Sequence, residues 1–480
     1  MNGGKGMAVS ILDLDATTLA EKIRQREVSV VEAVEAYCRH LAHANPHLNI
    51  LTEDRFAQAR AEAEACDRML EQGNAEGRLF GVPITVKESL DVAGMKTTGG
   101  LLHRREHVAK KDAVVVEKLK REGAIILGKS NTPTLCFCQE TDNKLYGRSN
   151  NPWDVTRTTG GSSGGEGALI AIGGSAVGIG SDIGGSIRFP AHFNGVIGFK
   201  SGRRQVSQVG HFPFVEHEWQ ERMLGIGALA KSVADAELIH AIIVDERPDG
   251  EKSTACTVTI PPIRPQYPVG RETAEWLERV RDALSAEYVI REDEPPLFDR
   301  HAQIWQLIMS VDGGESIARL ALDGRSPFRE YAKEILFGRS DVHRYLSWAL
   351  IGARLFRPSG RQLKELQQAL HRMDEEGAAY FHQNVLVLPV YHSPAPPHGM
   401  VYRELFSIRK TFLTYIPYVA VANAMGLPAL VVPVGESRNG LPIAVQLIAA
   451  VGNEHLLFHV GKWIEKRFRG YQRCRAFDRA

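Results

Sequence analysis

The chain has almost no net charge: 58 Lys and Arg stand against 57 Asp and Glu in 480 residues. Such a balance sets up no global field that would recruit nucleic acid or an anionic membrane, so neither is expected as a partner. Metal-binding patterns are also missing. No C-x-x-C or H-E-x-x-H occurs, and the one close cysteine pair, Cys136 and Cys138, has C-x-C spacing, which suits neither zinc nor a thioredoxin-type redox centre. No metal and no cofactor is expected. The 17 histidines are mostly isolated and read as surface or satisfied core residues. Residues 1–10 contain no apolar h-region and the six cysteines are scattered, so the expected setting is reduced and cytoplasmic. The most apolar helical stretch, residues 345–356, is too short to span a bilayer, and no stable membrane insertion is expected. Internal repeats and low-complexity tracts are absent.

What the chain has in abundance is glycine beside serine, concentrated in residues 158–199. Three clusters, Gly160-Gly161-Ser162-Ser163-Gly164-Gly165, Gly173-Gly174-Ser175 and Gly184-Gly185-Ser186, are joined by segments apolar enough to be buried. A flexible Gly/Ser linker would bury nothing. Glycine here lets backbone pass close to backbone, or lets amide N–H groups converge on a ligand. This stretch is the candidate catalytic centre.

Upstream, residues 11–74 show apolar positions at three- and four-residue spacing and read as helical, with Ser29 and Glu32 forming a capping box. Residues 78–87 change to a short β-branched strand that ends at Lys87. Residues 110–123 read as an amphipathic helix, followed by a strand at 124–127. Ser232 is placed as the N-cap of a helix. Beyond residue 244 helices are expected at 271–286, His301–Met309, Glu315–Leu322 and 341–356, and residues 384–390 read as a buried strand. Residues 345–356 are expected to pack on the core, with a lid or membrane-dipping cap as the other option.

Two patterns are decoys. Gly123-Ala124-Ile125-Ile126-Leu127-Gly128-Lys129-Ser130 satisfies the P-loop letters, but its four middle residues are strand-like, and Pro133 follows where a helix should begin. G-x-S-x-G fits around both Ser162 and Ser163, yet an α/β-hydrolase elbow needs a hydrophobic strand before it, and residues 151–157 make a poor one. An esterase of that type stays as an alternative reading.

The GGSSGG block at Ser162, the second serine 24 residues later in Ser181-Asp182-Ile183-Gly184-Gly185-Ser186-Ile187-Arg188-Phe189-Pro190-Ala191, and Gly81-Val82-Pro83-Ile84-Thr85-Val86-Lys87 together resemble the amidase signature family of serine hydrolases. The likeness runs from about residue 78 to 235 and resumes near 384. It implies an α/β fold, a large mixed central sheet covered by helices on both faces. It also implies four regions: an N-terminal helical segment (1–75), a catalytic core (76–240), a divergent helical substrate-pocket or cap region (241–383), and a C-terminal part of the same core (384–480).

By the same resemblance Ser186 is the nucleophile, Ser162, held by a cis peptide bond, passes its proton on, and Lys87 is the base. The oxyanion would meet the N–H groups of Ile183, Gly184, Gly185 and Ser186. Leu135 and Cys136 would line an apolar pocket, Ser163 would support Lys87, and Asp182 with Arg188 would hold the turn as an ion pair. The substrate would be a small hydrophobic amide, carbamate or ester, cleaved with water. Glu166-Gly167-Ala168-Leu169-Ile170 and Ile183 look like the fatty-acid amide hydrolase branch. The A subunit of a glutamine-dependent tRNA amidotransferase, which usually reads otherwise at these positions, is the alternative assignment. A non-enzymatic binding module is disfavoured, because Lys87, Ser162 and Ser186 are all present. In the family the N-terminal helices also serve assembly, which leaves a homodimer open.

Overall fold

Thirteen strands organise the chain in the computed structural model, which describes residues 10–246, 253–405 and 411–478. Residues 1–9, the start of the segment expected to be helical over 1–75 and without an h-region, lie outside the described residues. The strands are β1 (Leu51–Asp54), β2 (Pro83–Lys87), β3 (Ile125–Ser130), β4 (Asn150–Asn151), β5 (Asp154–Thr158), β6 (Val177–Asp182), β7 (Ile197–Lys200), β8 (Gly225–Ala230), β9 (Thr257–Thr259), β10 (Ile290–Arg291), β11 (Asn384–Pro389), β12 (Ala429–Glu436) and β13 (Pro442–Ile448). Eleven of them form one sheet in the order β1-β3-β2-β6-β8-β7-β12-β13-β11-β9-β10, and β4 pairs with β5 apart from it. β2 runs parallel to β3 and β6, whereas β6, β7, β8, β12 and β13 pair with one another antiparallel, so the sheet is mixed.

Both faces of the sheet are buried, as the alternation of side chains along a strand makes plain. Along β11, Val385 and Val387 belong to one apolar cluster and Leu386 and Leu388 to another. The first cluster includes residues from the helices Val30–Leu48, Val233–Ile243 and Glu454–Arg467. The second draws on His301–Met309, Gly360–Tyr380 and Pro417–Ala424. Each fully buried Val, Leu or Ile contributes about 1.5–3 kcal/mol, which is what holds helices of modest intrinsic stability against the sheet.

Local signals account for several helix ends. Ser29 accepts from the Glu32 N–H while the Glu32 side chain returns to the Ser29 N–H, the expected capping box. Ser232 caps Val233–Ile243 through the Asp235 N–H. His301–Met309 and Glu315–Leu322 have the expected bounds, and the other two expected helices run Arg271–Leu284 and Arg344–Leu355. The helices Pro327–Phe337 and Gly360–Tyr380 were not singled out from the sequence.

Two regional readings need correction. Residues 11–74 are not helical throughout, because β1 lies among them and pairs antiparallel with β3. A four-residue strand between two long helices leaves almost no period-2 signal. The divergent segment 241–383 is not only a helical cap: β9 and β10 join the far edge of the sheet, and Leu277, Val280 and Leu284 of Arg271–Leu284 enter the first core cluster.

The decoys resolve in the same terms. Gly128, Lys129 and Ser130 are buried inside β3, and the Lys129 ammonium donates to the Lys96 carbonyl and to Thr97 Oγ1 at 2.7 Å, so no phosphate-cradling loop exists there. The strand before Ser162 is β5, which lies outside the main sheet, so the segment is not a nucleophile elbow.

Candidate active site

β2 and β6 are adjacent and parallel, so their C-terminal ends lie on the same edge of the sheet, where open α/β sheets bind ligands. Lys87 is the last residue of β2, and Ser181 and Asp182 are the last two of β6. The helix Gly164–Ala171, every residue of it buried, brings the GGSSGG loop against them. Its glycines allow that approach: a Cβ at Gly165 would stand 2.5 Å from the Asn131 backbone nitrogen.

The Lys87 side chain is fully buried, and its Nζ lies 2.6 Å from Ser162 Oγ and 3.0 Å from Ser181 Oγ. Burial disfavours the ammonium form and lowers the lysine pKa, an effect partly opposed by Cys136, Asp182 and Glu166. The Gly161–Ser162 peptide is cis. Ser162 presents its carbonyl to Thr132 Oγ1 at 2.9 Å, and the Ser163 N–H donates to the Ser186 carbonyl at 3.0 Å, which ties the two serine loops together. Ser186 lines the cavity, and among the described residues its Oγ takes no hydrogen bond.

Asp182 is the post around which the Ser186 turn is wound. Its carboxylate accepts from the N–H groups of Gly185 (2.8 Å) and Ile187 (3.1 Å), from Asn423 Nδ2 (2.9 Å), and from Arg188 Nε (3.0 Å) and Nη2 (3.1 Å). Both members of the Asp182–Arg188 pair are fully buried, as expected of an ion pair holding this turn. Burial alone would raise the Asp182 carboxyl, but the guanidinium outweighs it and holds the pKa well below the usual carboxylate range. Arg188 is satisfied further by the Val419 carbonyl (2.7 Å), Gln446 Oε1 (2.9 Å) and Asn423 Oδ1.

This arrangement corrects one reading. The Gly185 N–H is engaged by Asp182, so it is not a free oxyanion donor; the N–H groups of Ile183, Gly184 and Ser186 meet no acceptor among the described residues. Ser163 stands behind Lys87 and touches it only through Ser181. Its Oγ meets the Ser181 carbonyl at 3.3 Å and the Ser181 N–H at 3.4 Å, and the lysine's second partner is the Ser181 hydroxyl.

The turn is also gripped from outside. Trp305 Nε1 donates to the Ile183 carbonyl at 2.8 Å, and Gln139 Nε2 donates to the Gly184 carbonyl at 3.1 Å. His211 Nε2 lies 2.9 Å from Ser181 Oγ. Trp305, Gln139 and His211 were not found from the sequence, and Ser181 was quoted only as a letter of the motif. No spacing or periodicity points to them, since each acts through one backbone carbonyl or one hydroxyl brought near by folding.

Leu135 and Cys136 are consecutive residues in the left-handed region, at φ 52° and 60°. Both line the cavity beside Ser162 and Ser186. Burial would raise the Cys136 thiol, but Lys87 and His211 outweigh it and draw it down. The two groups titrate as a pair: a thiolate at Cys136 holds Lys87 as ammonium, and a neutral Lys87 leaves the thiol protonated.

A cleft opens on Ser186, walled by Phe137, Trp305, Met309, Trp348, Phe356, Leu405, Phe412 and Ile416. Helix Arg344–Leu355 thus serves two surfaces: Leu346, Leu350 and Ile351 are buried, and Trp348, Ala349, Gly352 and Ala353 face the cleft.

A family model described as Amidase matches residues 32–458. Fatty-acid amide hydrolase 2-B of Danio rerio is 35% identical over 96% of this chain and 90% of its own length. Indoleacetamide hydrolase of Bradyrhizobium diazoefficiens is 31% identical, over 94% and 86%. The solved structure of 6-aminohexanoate cyclic dimer hydrolase complexed with substrate matches at TM-score 0.81 and 25% identity, covering 97% of this chain and 100% of that one.

Proposed function

The chain belongs to the amidase signature family and is a hydrolase of amide carbon–nitrogen bonds, and we propose that its substrates are small amides with an apolar acyl or aryl group, cleaved through an acyl-enzyme on Ser186. The observation that carries this reading is the 2.6 Å contact between a fully buried Lys87 and Ser162, beside Ser186 at the mouth of an apolar cleft.

A serine hydroxyl is too weakly acidic to attack an amide unaided, so the proton must leave as the bond forms. Rotation about the Ser186 Cα–Cβ bond turns its Oγ toward Ser162. Such catalytic contacts often tighten only with substrate in place. Ser162 then takes the Ser186 proton while giving its own to neutral Lys87. The carbonyl oxygen, negative in the tetrahedral intermediate, is received by the N–H groups of Ile183, Gly184 and Ser186. The same relay returns a proton to the leaving amine. Water, activated the same way, then frees the acid and restores Ser186.

Lysine suits this position because its pKa responds strongly to burial, which arginine's does not. The apolar walls favour a hydrophobic acyl group, in keeping with relatives named for fatty-acid amides and indoleacetamide. Carbamates and esters share the acyl-enzyme route and are proposed as further substrates. All six cysteines are unpaired, which suits the proposed cytoplasmic setting.

The test is hydrolysis of a p-nitroanilide, with the matching p-nitrophenyl carbamate and ester, by the parent chain and by Ser186→Ala, Ser162→Ala and Lys87→Ala. Loss of most anilide turnover in all three variants, with folding intact, is the expected result. Full turnover in Ser186→Ala would remove the nucleophile. Glutamine cleavage without anilide cleavage would move the chain to the amidotransferase reading.

A further inference from the structure

Resting on the reading of Lys87 as the base, we infer that His211 is a positioning residue that reserves the lysine's lone pair for Ser162, acting through Ser181. The argument follows the hydrogen bonds inward from one backbone carbonyl. His211 Nδ1 lies 2.9 Å from the Pro213 carbonyl oxygen. A carbonyl only accepts, so Nδ1 carries the proton, and in the neutral ring Nε2 is left as an acceptor. Nε2 lies 2.9 Å from Ser181 Oγ, so the Ser181 hydroxyl donates to it. A hydroxyl has a single proton. Toward Lys87 Nζ, 3.0 Å away, Ser181 therefore offers only lone pairs, and the amine must donate.

The consequence falls on the other side of the lysine. A neutral amine has one lone pair, and any hydroxyl other than Ser162 that donates into it blocks the proton transfer the mechanism needs. Two serine hydroxyls lie within reach, Ser181 and Ser162. With Ser181 turned toward His211, Ser162, whose Oγ lies 2.6 Å from Nζ, is the one hydroxyl left to fill the lone pair of the neutral amine. Without His211, the Ser181 hydroxyl is free to donate to Lys87 and compete with Ser162. Cys136 also interacts with Lys87 and His211, but a thiol is a weak donor, and its Sγ lies 3.5 Å from Thr132 Oγ1. Among the described residues Ser181 Oγ meets only Lys87 and His211, so no other protein group is placed to take its proton.

The experiment is a double-mutant cycle on the p-nitroanilide substrate, with thermal unfolding of every variant as a folding control. His211→Leu is expected to lower kcat by roughly ten- to a hundredfold with KM changed less than about threefold, as for an interaction that matters only in the transition state. His211→Gln presents an amide oxygen near the Nε2 position and is expected to recover most of that loss. His211→Asn is too short to reach Ser181 and is expected not to recover it. In a Ser181→Ala background, which has no hydroxyl to orient, His211→Leu is expected to change kcat less than about twofold further. Equal kcat in His211→Leu and the parent chain, or full additivity of the two changes, would overturn the inference. If His211→Leu fails to fold, the comparison of Gln with Asn decides: equal activity in these two overturns it. Lys87→Ala in the same assay separates the two readings. An active Lys87→Ala means that the base is wrong, whereas an inactive one beside a fully active His211→Leu means that only the positioning role is wrong.

Discussion

Trp305 donates its indole N–H to the carbonyl of Ile183 at 2.8 Å, joining a helix of the divergent region to the turn that carries Ser186. Because a peptide unit is planar and trans, its carbonyl and the next N–H point in opposite directions. Holding the Ile183 carbonyl therefore aims the Gly184 N–H. Trp305→Phe keeps the apolar wall and loses the donor, so kcat is expected to fall about tenfold, the size of one hydrogen bond, with KM little changed. Steady-state kinetics on the p-nitroanilide would measure this, and an unchanged kcat would dissociate the indole from the oxyanion donors.

Gly184 lies against the same ring. A Cβ there would stand 2.6 Å from a carbon of the Trp305 indole, a distance real side chains do not adopt. Gly184→Ala is expected to push the indole off Ile183 and to lose at least as much kcat as Trp305→Phe. Combining it with Trp305→Ala, which leaves the space open, should restore part of the loss. No recovery in the double variant would mean that the clash is not the cause.

Lys87 must be neutral to accept a proton, so kcat/KM should fall as the pH drops through its value. Burial has moved that value below the ordinary lysine range, which places the acid limb below 10.5. Lys87→Arg holds its charge at every accessible pH and should lose roughly a thousandfold or more of kcat/KM, as removal of a triad member does. A flat pH profile in the parent chain would argue against a lysine base.

The buried Asp182–Arg188 pair makes a separate prediction about stability. Removing one partner strands the other charge in a dry site, so Arg188→Met is expected to cost about 3–5 kcal/mol in urea unfolding. The Asp182 carboxyl sits below its unfolded pKa. Its contribution is therefore fully present above the ordinary aspartate range and is lost as the pH falls through the depressed value. A loss under about 1 kcal/mol would show that the turn does not need the pair.

Glu166 has the opposite sign. Burial raises its pKa to about 8, against a hydrogen bond from Thr85 Oγ1 at 2.7 Å that lowers it. An acid with a raised folded pKa contributes stability that is fully present below its unfolded value near 4.5 and is lost as the pH rises to about 8. Glu166→Gln, which has no proton to lose, should flatten the dependence of Tm on pH across this window and gain most over the parent chain at its upper end. Parallel Tm curves for the two proteins would contradict a neutral buried Glu166.

The nearby residues differ in how far the sequence betrays them. Lys87, Ser162 and Ser186 stand in glycine-rich or strand-end contexts whose letters carry the chemistry, and Asp182 and Arg188 lie six residues apart in one turn, so their pairing is a local matter. The Ser29–Glu32 capping box and the apolar run of β11 are local too, and they were legible for that reason. β1 was not, because four residues between long helices hold too little periodicity.

What the sequence by itself determined was the family, the mixed α/β architecture and the identity of the groups able to carry acyl transfer, since these depend on short stretches of chain and the backbone they permit. The tertiary structure alone decided how those groups are poised. Trp305 reaches Ile183 across 122 positions, His211 reaches Ser181 across 30, and Asn423 reaches Asp182 across 241. It also decided that the Gly185 N–H belongs to Asp182 and that Ser181, not Ser163, meets Lys87. The physical reason is that a hydrogen bond reads distance and direction to within a few tenths of an ångström, and only packing of the finished sheet and helices sets these for residues so far apart in the chain.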